Sequence, residues 1–539
     1  MLSRFWMALP LALSCSISTT TFALSNNTTS EPLISQLIIK LKPTSTGIRP
    51  AMTSNTMSLL AANTASNLTY KRPLSGDAHV LYLPYPMTRE QAELYVSTVR
   101  QQTNIEYAEP DYVRYLATTP NDEYFSTQQW NLQSPATYAG AINALQAWDE
   151  TTGSSEVTIA VVDAGINIAH SDLTGRGVPE LTYGGYDMVI NTSNVNSGDG
   201  DNRDANPNET EASWHGTHVA GIIGASANNS TGITGIDWQA KLLFVRVFGS
   251  GSTANLSDIV DGIRWAAGDP KISAGTGASG YLPVNPRPAK IINLSLGGYG
   301  SCTQTEQSAI DYAYNKGASI IAAAGNGCTM VGTCKPQSTE VETGINLDKE
   351  PHSPANCNNV ITVAAVGANG QKASFSNYGS AITIAAPGVN IVTKAQGIYS
   401  TTGSGNSYGF IAGTSQAAPH VSGVIGLMLA AKSTLTPAQI KTALQASARP
   451  YTYNDNYKAG MGAGLLDACR AVRYVKGLSM GYCDKAATGS LVTISPITDY
   501  IKPTDPESKG GVTGGGGGST NSLLLVIIGL LGLGRMMRR

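Results

Sequence analysis

The chain has 539 residues, with 35 Lys or Arg against 37 Asp or Glu, so the formal net charge is −2 and only 13% of residues are charged. That length accommodates about two to four domains with a sizeable core. A near-neutral balance without a basic patch interleaved with aromatics argues against nucleic acid as a partner, and the abundance of Gly, Ser, Thr and Asn fits an exported protein.

The first segment, "MLSRFWMALPLALSCSISTTTFA", sets Arg4 before a short apolar run from Phe5 to Leu13 and closes on Thr21-Phe22-Ala23. This pattern predicts a secretory signal over 1–23, removed by a signal peptidase. Cys15 raises a lipoprotein alternative, against which Ala12 stands where such signals prefer Leu. From 24 to 118 the strands "QLIIKLKP", "AHVLYLPY" and "IEYAEPDYVRYL" accompany a helix announced by the capping box of Thr88 and Gln91, with Ala92, Tyr95, Val96 and Val99 on one face. A small α+β domain is expected there.

From 119 to 485 apolar strands alternate with amphipathic helices, which predicts an α/β domain with a mainly parallel sheet flanked by helices. The strand candidates are "VTIAVVDAGI", "AKLLFVRVFG", "AKIINLSLGG" and "ASIIAAAGN". A helix is expected over "NLSDIVDGIRWAAG", with Asn255 as its cap and Leu256, Ile259, Val260 and Ile263 as its stripe. Residues 486–513 read as a low-complexity linker. The tail, 514–539, joins a Gly tract to an apolar run from Leu523 to Gly534 and a basic end, which is short for a membrane span. It resembles the GlyGly-CTERM sorting signals of Gram-negative bacteria. That resemblance implies transient inner-membrane retention, removal by a rhombosortase and release by type II secretion, with a permanent anchor as the alternative.

Without Cys15 six cysteines remain, Cys302, Cys328, Cys334, Cys357, Cys469 and Cys483. An even number in an exported chain favours disulfides, whose pairing spacing alone leaves open. The pattern lacks the paired Cys/His spacing of a zinc site.

In parallel sheets chemistry gathers at the carboxyl ends of the strands. "TIAVVD" delivers Asp163 there, "IIAAAGN" delivers Asn326, and "NLSLGG" ends in a Gly pair. A carboxylate after five apolar residues needs a hydrogen-bond donor, and His215 in "SWHGTHVAGIIGAS" can supply it. Ser415 in "FIAGTSQAAPHVSGVIGLML" stands at a helix start, where it or Thr414 could be a mere cap. Acyl transfer requires a serine, an imidazole base, a carboxylate to orient that base, and oxyanion donors. Ser415, His215, Asp163 and Asn326 give one residue per role.

With "VVDAGI", "HGTHVAGIIG", "AAAGN" and "GTSQAAPH" on the page, the chain resembles the subtilisin-like serine proteases, in particular thermitase-like and Gram-negative extracellular subtilases. The order Asp, His, Ser is theirs, and the match runs from "TPNDEYF" at Thr119 to "GAGLLDA" near Asp467. The resemblance implies a serine endopeptidase acting on protein or peptide substrates: Ser415 attacks, His215 moves the proton, Asp163 orients His215, and the Asn326 amide with the Ser415 N–H holds the oxyanion. It further implies that Ser295, Leu296, Gly297 and Gly298, with Ala323, Ala324 and Gly325, bind the substrate backbone and wall a P1 slot open to large apolar residues. Gln416 departs from the family's usual Met, which bears on packing and oxidation.

The family also implies structural Ca2+. By that resemblance Asp122, Asp187 and the loop "ANNSTGI" form a strong site, with the Asn229 side chain and the carbonyls of Ser226, Thr231 and Ile233. A second site is expected at Asp199, Asp201 and Asp204. The 24–118 unit resembles an inhibitory propeptide whose last strand fills the substrate cleft until self-cleavage between Tyr115 and Pro120. Extracellular members suggest pairing Cys302 with Cys357; Cys328 with Cys334 and Cys469 with Cys483 follow from proximity. The expected product is a secreted monomer, anchored transiently if at all.

Three competing readings follow from single motifs. His215 and His218 could bind a metal, though the zincin glutamate is missing. "GNSYG" around Ser407 fits a lipase elbow, without its strand and helix. An adhesin-like protein could keep the fold with a dead site.

Overall fold

The computed structural model describes residues 33–64, 68–112, 119–209, 213–275, 279–327, 344–389, 397–403, 405–451 and 460–484. The expected signal segment, residues 113–118 of the expected cleavage region, Cys328, Cys334, the linker and the tail lie outside them. The chain divides between 114 and 115 into two compact units. Among the described residues no helix is long and apolar enough to cross a membrane.

The first unit runs β1 (Ile34–Leu41), α1 (Ser54–Thr64), β2 (Thr69–Leu74), β3 (Ala78–Met87), α2 (Arg89–Arg100) and β4 (Ile105–Pro110), with antiparallel sheet order β2-β3-β1-β4. Leu37, Ile39 and Leu41 of β1 point to one buried face, on which α2 lays Ala92, Val96 and Val99. The capping box forms: Gln91 N–H donates to Thr88 Oγ1 at 3.3 Å and Thr88 N–H to Gln91 Oε1 at 3.0 Å. The edge strand β2 escapes sequence reading because its residues are nearly all exposed and carry no apolar alternation.

The second unit contains α3 (Ala144–Trp148), β5 (Thr158–Asp163), β6 (Gly185–Asp187), α4 (His215–Gly224), β7 (Lys241–Arg246), α5 (Leu256–Ala266) and β8 (Ile291–Leu294). It continues with β9 (Gly298–Tyr299), α6 (Gln304–Asn315), β10 (Ser319–Ala323), β11 (His352–Ser353), β12 (Val360–Val366), β13 (Ile382–Pro387), the hairpin β14 (Ile398–Thr402) and β15 (Ser407–Ile411), then α7 (Thr414–Ala431), α8 (Pro437–Ser447) and α9 (Ala468–Val475). Seven strands form a parallel sheet in the order β13-β12-β10-β8-β5-β7-β6.

Every residue of β5 is buried, as a central strand covered on both faces requires. Ile159 and Val161 join the core of α4, α7 and α9, while Ala160 and Val162 join that of α5 and α6. The strand's two-residue period therefore explains why helices cover both sides. In α5 the expectation needs correction: Asn255 sits at the cap position but makes no side-chain cap, because its amide donates to Asp258 at 3.2 Å. Leu256 is exposed, leaving Val260 and Ile263 as the buried stripe.

Among the described residues two disulfides close, Cys302 to Cys357 and Cys469 to Cys483. The second ties α9 to the residues after it, where Cys483 O also accepts the Asn143 amide at 3.2 Å.

Candidate active site

The carboxyl ends of β5, β8 and β10 converge on the N-terminal ends of α4 and α7. Asp163 is the last residue of β5 and 1% exposed; His215 is the first of α4 and 8% exposed. His215 Nδ1 lies 2.7 Å from Asp163 Oδ1, which also accepts the Ala164 N–H at 2.7 Å. That bond fixes Nδ1 as the protonated nitrogen and leaves the lone pair on Nε2. Gly216 makes the approach possible, since a Cβ there would lie 2.1 Å from Gly165 O. Burial pulls the His215 pKa down, but the charge and hydrogen bond of Asp163, with the charge of Glu209 behind them, outweigh it and hold the imidazole above 6.5.

Ser415 is the second residue of α7 and does not cap it: the cap position is Gly413, with no side-chain bond. Its hydroxyl donates to Ser295 O at 3.0 Å, and Ser295 Oγ donates to Ser415 O at 2.7 Å. The second bond has a cause in the sequence. Pro419, four residues on, has no N–H to return to Ser415 O, so the helix leaves that carbonyl to Ser295. Asn293 of β8 braces the pair, donating to Ser295 Oγ and accepting from the Ser422 hydroxyl of α7, both at 2.9 Å. In this resting geometry the Ser415 hydroxyl faces Ser295 and must rotate to meet His215, as often holds without substrate.

Asn326 lies beyond the end of β10. Its Oδ1 accepts both the N–H and the hydroxyl of Thr414, and Thr414 Oγ1 accepts the Gly325 N–H at 3.1 Å. With the oxygen engaged, the amide presents its NH2 group as the donor. Thr414 is thus a residue that sequence reasoning left as an alternative cap.

Ser295, Leu296, Gly297 and Gly298 leave the sheet and enter the short pairing of β9 with β11. Ala323 and Ala324 are buried, and Gly325 takes φ +95°, a left-handed conformation suited to glycine. Behind both strands lies His352, unmarked by any motif. A Cβ on Gly297 would stand 2.4 Å from its ring, and one on Gly325 3.0 Å. Burial pushes the His352 pKa down to about 4, so the ring is neutral at ordinary pH.

The metal expectations change. Asp122 does meet the "ANNSTGI" loop, accepting the N–H groups of Asn228 at 3.0 Å and Asn229 at 3.4 Å. Asp187 is not its partner: it ends β6 and pairs with the fully buried Arg246 at 2.7 Å. Asp172 takes that place, accepting from Asn229 Nδ2 at 2.9 Å, Ile233 N–H at 3.0 Å and Tyr408 OH at 2.9 Å. Ser226 and Thr231 complete the loop, the former donating its N–H to Asp172 O and the latter to Asn229 Oδ1. In the second expected site Asp199 also pairs with Arg246, so a guanidinium already neutralises it, while Asp204 caps the Asn206 N–H at 2.8 Å. Asp201 stays near the surface, its carboxyl raised by partial burial and by repulsion from Asp204 and Asp199.

The competing motifs separate from the site. His218 is fully buried with Nε2 on the carbonyls of Ile398 and Gly409, so it fastens the β14–β15 hairpin. Ser407 begins a hairpin strand, not a strand-to-helix turn, and its carbonyl meets His170.

A parallel sheet with an acid–imidazole pair at β5 and α4 and a serine at the head of α7 defines an enzyme of the serine-hydrolase class. The subtilase family model, Peptidase S8, matches residues 154–464. The chain is 34% identical over 471 residues to the extracellular basic protease of Dichelobacter nodosus, covering 82% of this chain and 71% of that one. It is 35% identical over 356 residues to thermitase of Thermoactinomyces vulgaris, covering 66% and 100%. A solved protease structure from Pseudoalteromonas arctica superposes with a TM-score of 0.56 at 37% identity, covering 66% of this chain and all of that one. The chain belongs to the subtilase family and is a subtilisin-like serine protease.

Proposed function

We propose that the chain is a secreted endopeptidase made as a self-processing zymogen, with Ser415 as nucleophile, His215 as general base and acid, and Asp163 as the group that orients His215. The buried 2.7 Å bond between Asp163 and His215, at the sheet edge where α7 begins, carries this reading. In the reaction Ser415 Oγ turns from Ser295 O, gives its proton to His215 Nε2 and attacks the peptide carbonyl. The Asn326 NH2 and the Ser415 N–H hold the oxyanion. His215 then protonates the leaving amine, and water releases the acyl group by the same route. The small residues at 297, 298 and 323–325, with the neutral His352 behind them, favour a large apolar P1 residue in a slot without charge.

The 24–118 unit acts as inhibitor until self-cleavage between Tyr115 and Pro120. Export through a signal peptidase and type II secretion, with rhombosortase removing the tail, agrees with the relatives named extracellular proteases.

Subtilases commonly bind structural calcium, and one set of residues here fits it. Asp122 and Asp172 are both buried, and among the described residues neither pairs with Lys or Arg. Burial, offset by backbone hydrogen bonds and reinforced by the charge of Asp172, raises the Asp122 carboxyl. Two desolvated carboxylates with neutral oxygen neighbours suit a hard divalent cation. Asp122, Asp172, Asn229 and the carbonyls of Ser226, Thr231 and Ile233 would hold it. A calcium ion bound there would neutralise the two carboxylates and fasten the loop after α4.

The test is expression with and without Ser415→Ala, followed by fluorophosphonate labelling, casein cleavage and intact mass. Labelling, cleavage and propeptide loss that vanish together in the variant establish the reading. A wild type that matures yet neither labels nor cleaves replaces it with a binding protein processed by another enzyme.

A further inference from the structure

The reaction above does not use Glu209, yet this carboxylate is 2% exposed and lies where the elements carrying Asp163 and His215 meet. Its main chain runs beside the exit of β5: Glu209 N–H donates to Ile166 O at 2.9 Å and Ile166 N–H to Pro207 O at 3.0 Å. Gly165, at φ +106°, admits this approach, since a Cβ there would lie 3.0 Å from Glu209 Cα.

The side chain reaches the other way. Glu209 Oε2 accepts the Thr217 N–H at 3.2 Å and the Thr217 hydroxyl at 2.7 Å, and Thr217 Oγ1 accepts the Asn167 N–H at 2.8 Å. Thr217 is the third residue of α4. The residue before the helix, Trp214, is left-handed at φ 50° and makes no side-chain cap. Glu209, six residues upstream of His215, therefore satisfies the helix start that position 214 leaves open, and places negative charge at its positive end.

We propose that Glu209 is a positioning residue of the Asp163–His215 pair, clamping the first turn of α4 to the exit of β5 and holding a second negative charge beside the imidazole. The proposal rests on His215 as the general base. The titratable groups facing Glu209 are Asp163 from β5 and His215 from α4; Thr217 and Ser213 are neutral, as are Gly403 and Gly405 of the hairpin that Asn167 bonds. On the far side of His215, His218 stays uncharged, its pKa pushed by burial to about 3. Burial raises the Glu209 carboxyl to about 7 against the Thr217 bonds, with repulsion from Asp163 adding to it. Its charge in turn favours protonated His215. Two coupled groups then share protons near neutrality, and the acid limb of activity spreads beyond a single ionisation.

The experiment measures kcat/KM on a chromogenic peptide, and the rate of fluorophosphonate labelling, from about pH 5 to about pH 9 for wild type, Glu209→Gln and Glu209→Ala. E209Q keeps an acceptor for Thr217 and removes the charge. Its acid midpoint should fall by about half a pH unit or more, its limb should sharpen to one proton, and its plateau should stay within about threefold of wild type. E209A, which also loses the clamp, should lose plateau activity. An unchanged midpoint and slope in E209Q, with only a lower melting temperature, reduces Glu209 to a structural cap and overturns the proposal. So does a wild-type limb that fits one ionisation, a reading that needs no variant to fold. Failure of the wild type to label at Ser415 is a separate outcome: it removes the active-site reading and this proposal with it.

Discussion

The main-chain N–H and the hydroxyl of Thr414 both donate to Oδ1 of Asn326, at 2.8 and 2.9 Å. On the proposed assignment the oxyanion donor is therefore aimed by the residue just before the nucleophile. Replacing Asn326 with Leu should lower kcat about 100- to 1000-fold with little change in KM, since the amide acts on charge that develops only in the transition state. Thr414→Val keeps the backbone donor and loses the hydroxyl, and should cost about tenfold, close to one lost hydrogen bond. Steady-state kinetics on one peptide decide it: a loss carried by KM in Asn326→Leu removes the assigned role.

Proton inventory sets the pH profile. As the proposed base, His215 has to be neutral to accept the Ser415 proton, and its pKa is raised above 6.5. Activity should therefore be lost as pH falls through a midpoint above that value, not below it. A kcat/KM profile with its acid midpoint under 6.5 contradicts the Asp163–His215 assignment.

Calcium should separate the two acidic clusters. Chelation should lower the melting temperature of wild type, and Asp122→Asn or Asp172→Asn should remove most of the difference between calcium and chelator. Asp187→Asn removes one of the two carboxylates that meet the buried Arg246, with Asp199 remaining, and should lower the melting temperature equally with calcium and with chelator. Thermal melts with added calcium and with chelator distinguish them; equal calcium dependence in Asp172→Asn and wild type refutes the Asp122–Asp172 site.

The two described disulfides differ in the chain they enclose. The Cys302–Cys357 separation is 55 residues and the Cys469–Cys483 separation 14. On the chain-entropy account they stabilise by about 4 and about 3 kcal/mol. Paired Cys→Ser variants should melt lower in that order, as calorimetry can establish.

Gln416 is a buried amide directly after Ser415. A Gln416→Met variant should be inactivated by hydrogen peroxide under conditions that spare wild type, because a thioether there oxidises to a polar sulfoxide. Equal survival of the two would show that oxidation at this position does not reach Ser415.

Much of this was legible because burial leaves a mark on strands. β5 announced Asp163 as the one charge after an apolar run, and β10 announced Asn326 likewise. β6 was too short for a period to emerge, and β2 faces solvent on an edge. Asp187 and Asp172 show a different limit: both are buried aspartates in polar stretches, and only the position of Arg246 decides which is neutralised and which faces the Asn229 loop. Glu209 and His352 carried no signal at all, since their importance lies in glycines elsewhere, Gly165, Gly297 and Gly325, that let them approach.

Pro419 has a consequence for how this enzyme can change over generations. By deleting one rung of α7 it ties the Ser415 turn to Ser295, just past the end of β8, instead of to the helix behind it. Residues from Leu427 onward, past the Ser422 that bonds Asn293 and the tightly packed Gly423 and Gly426, can then be exchanged to suit colder or hotter surroundings, retuning the packing of a long buried helix, while the Ser415 carbonyl keeps its register against Ser295.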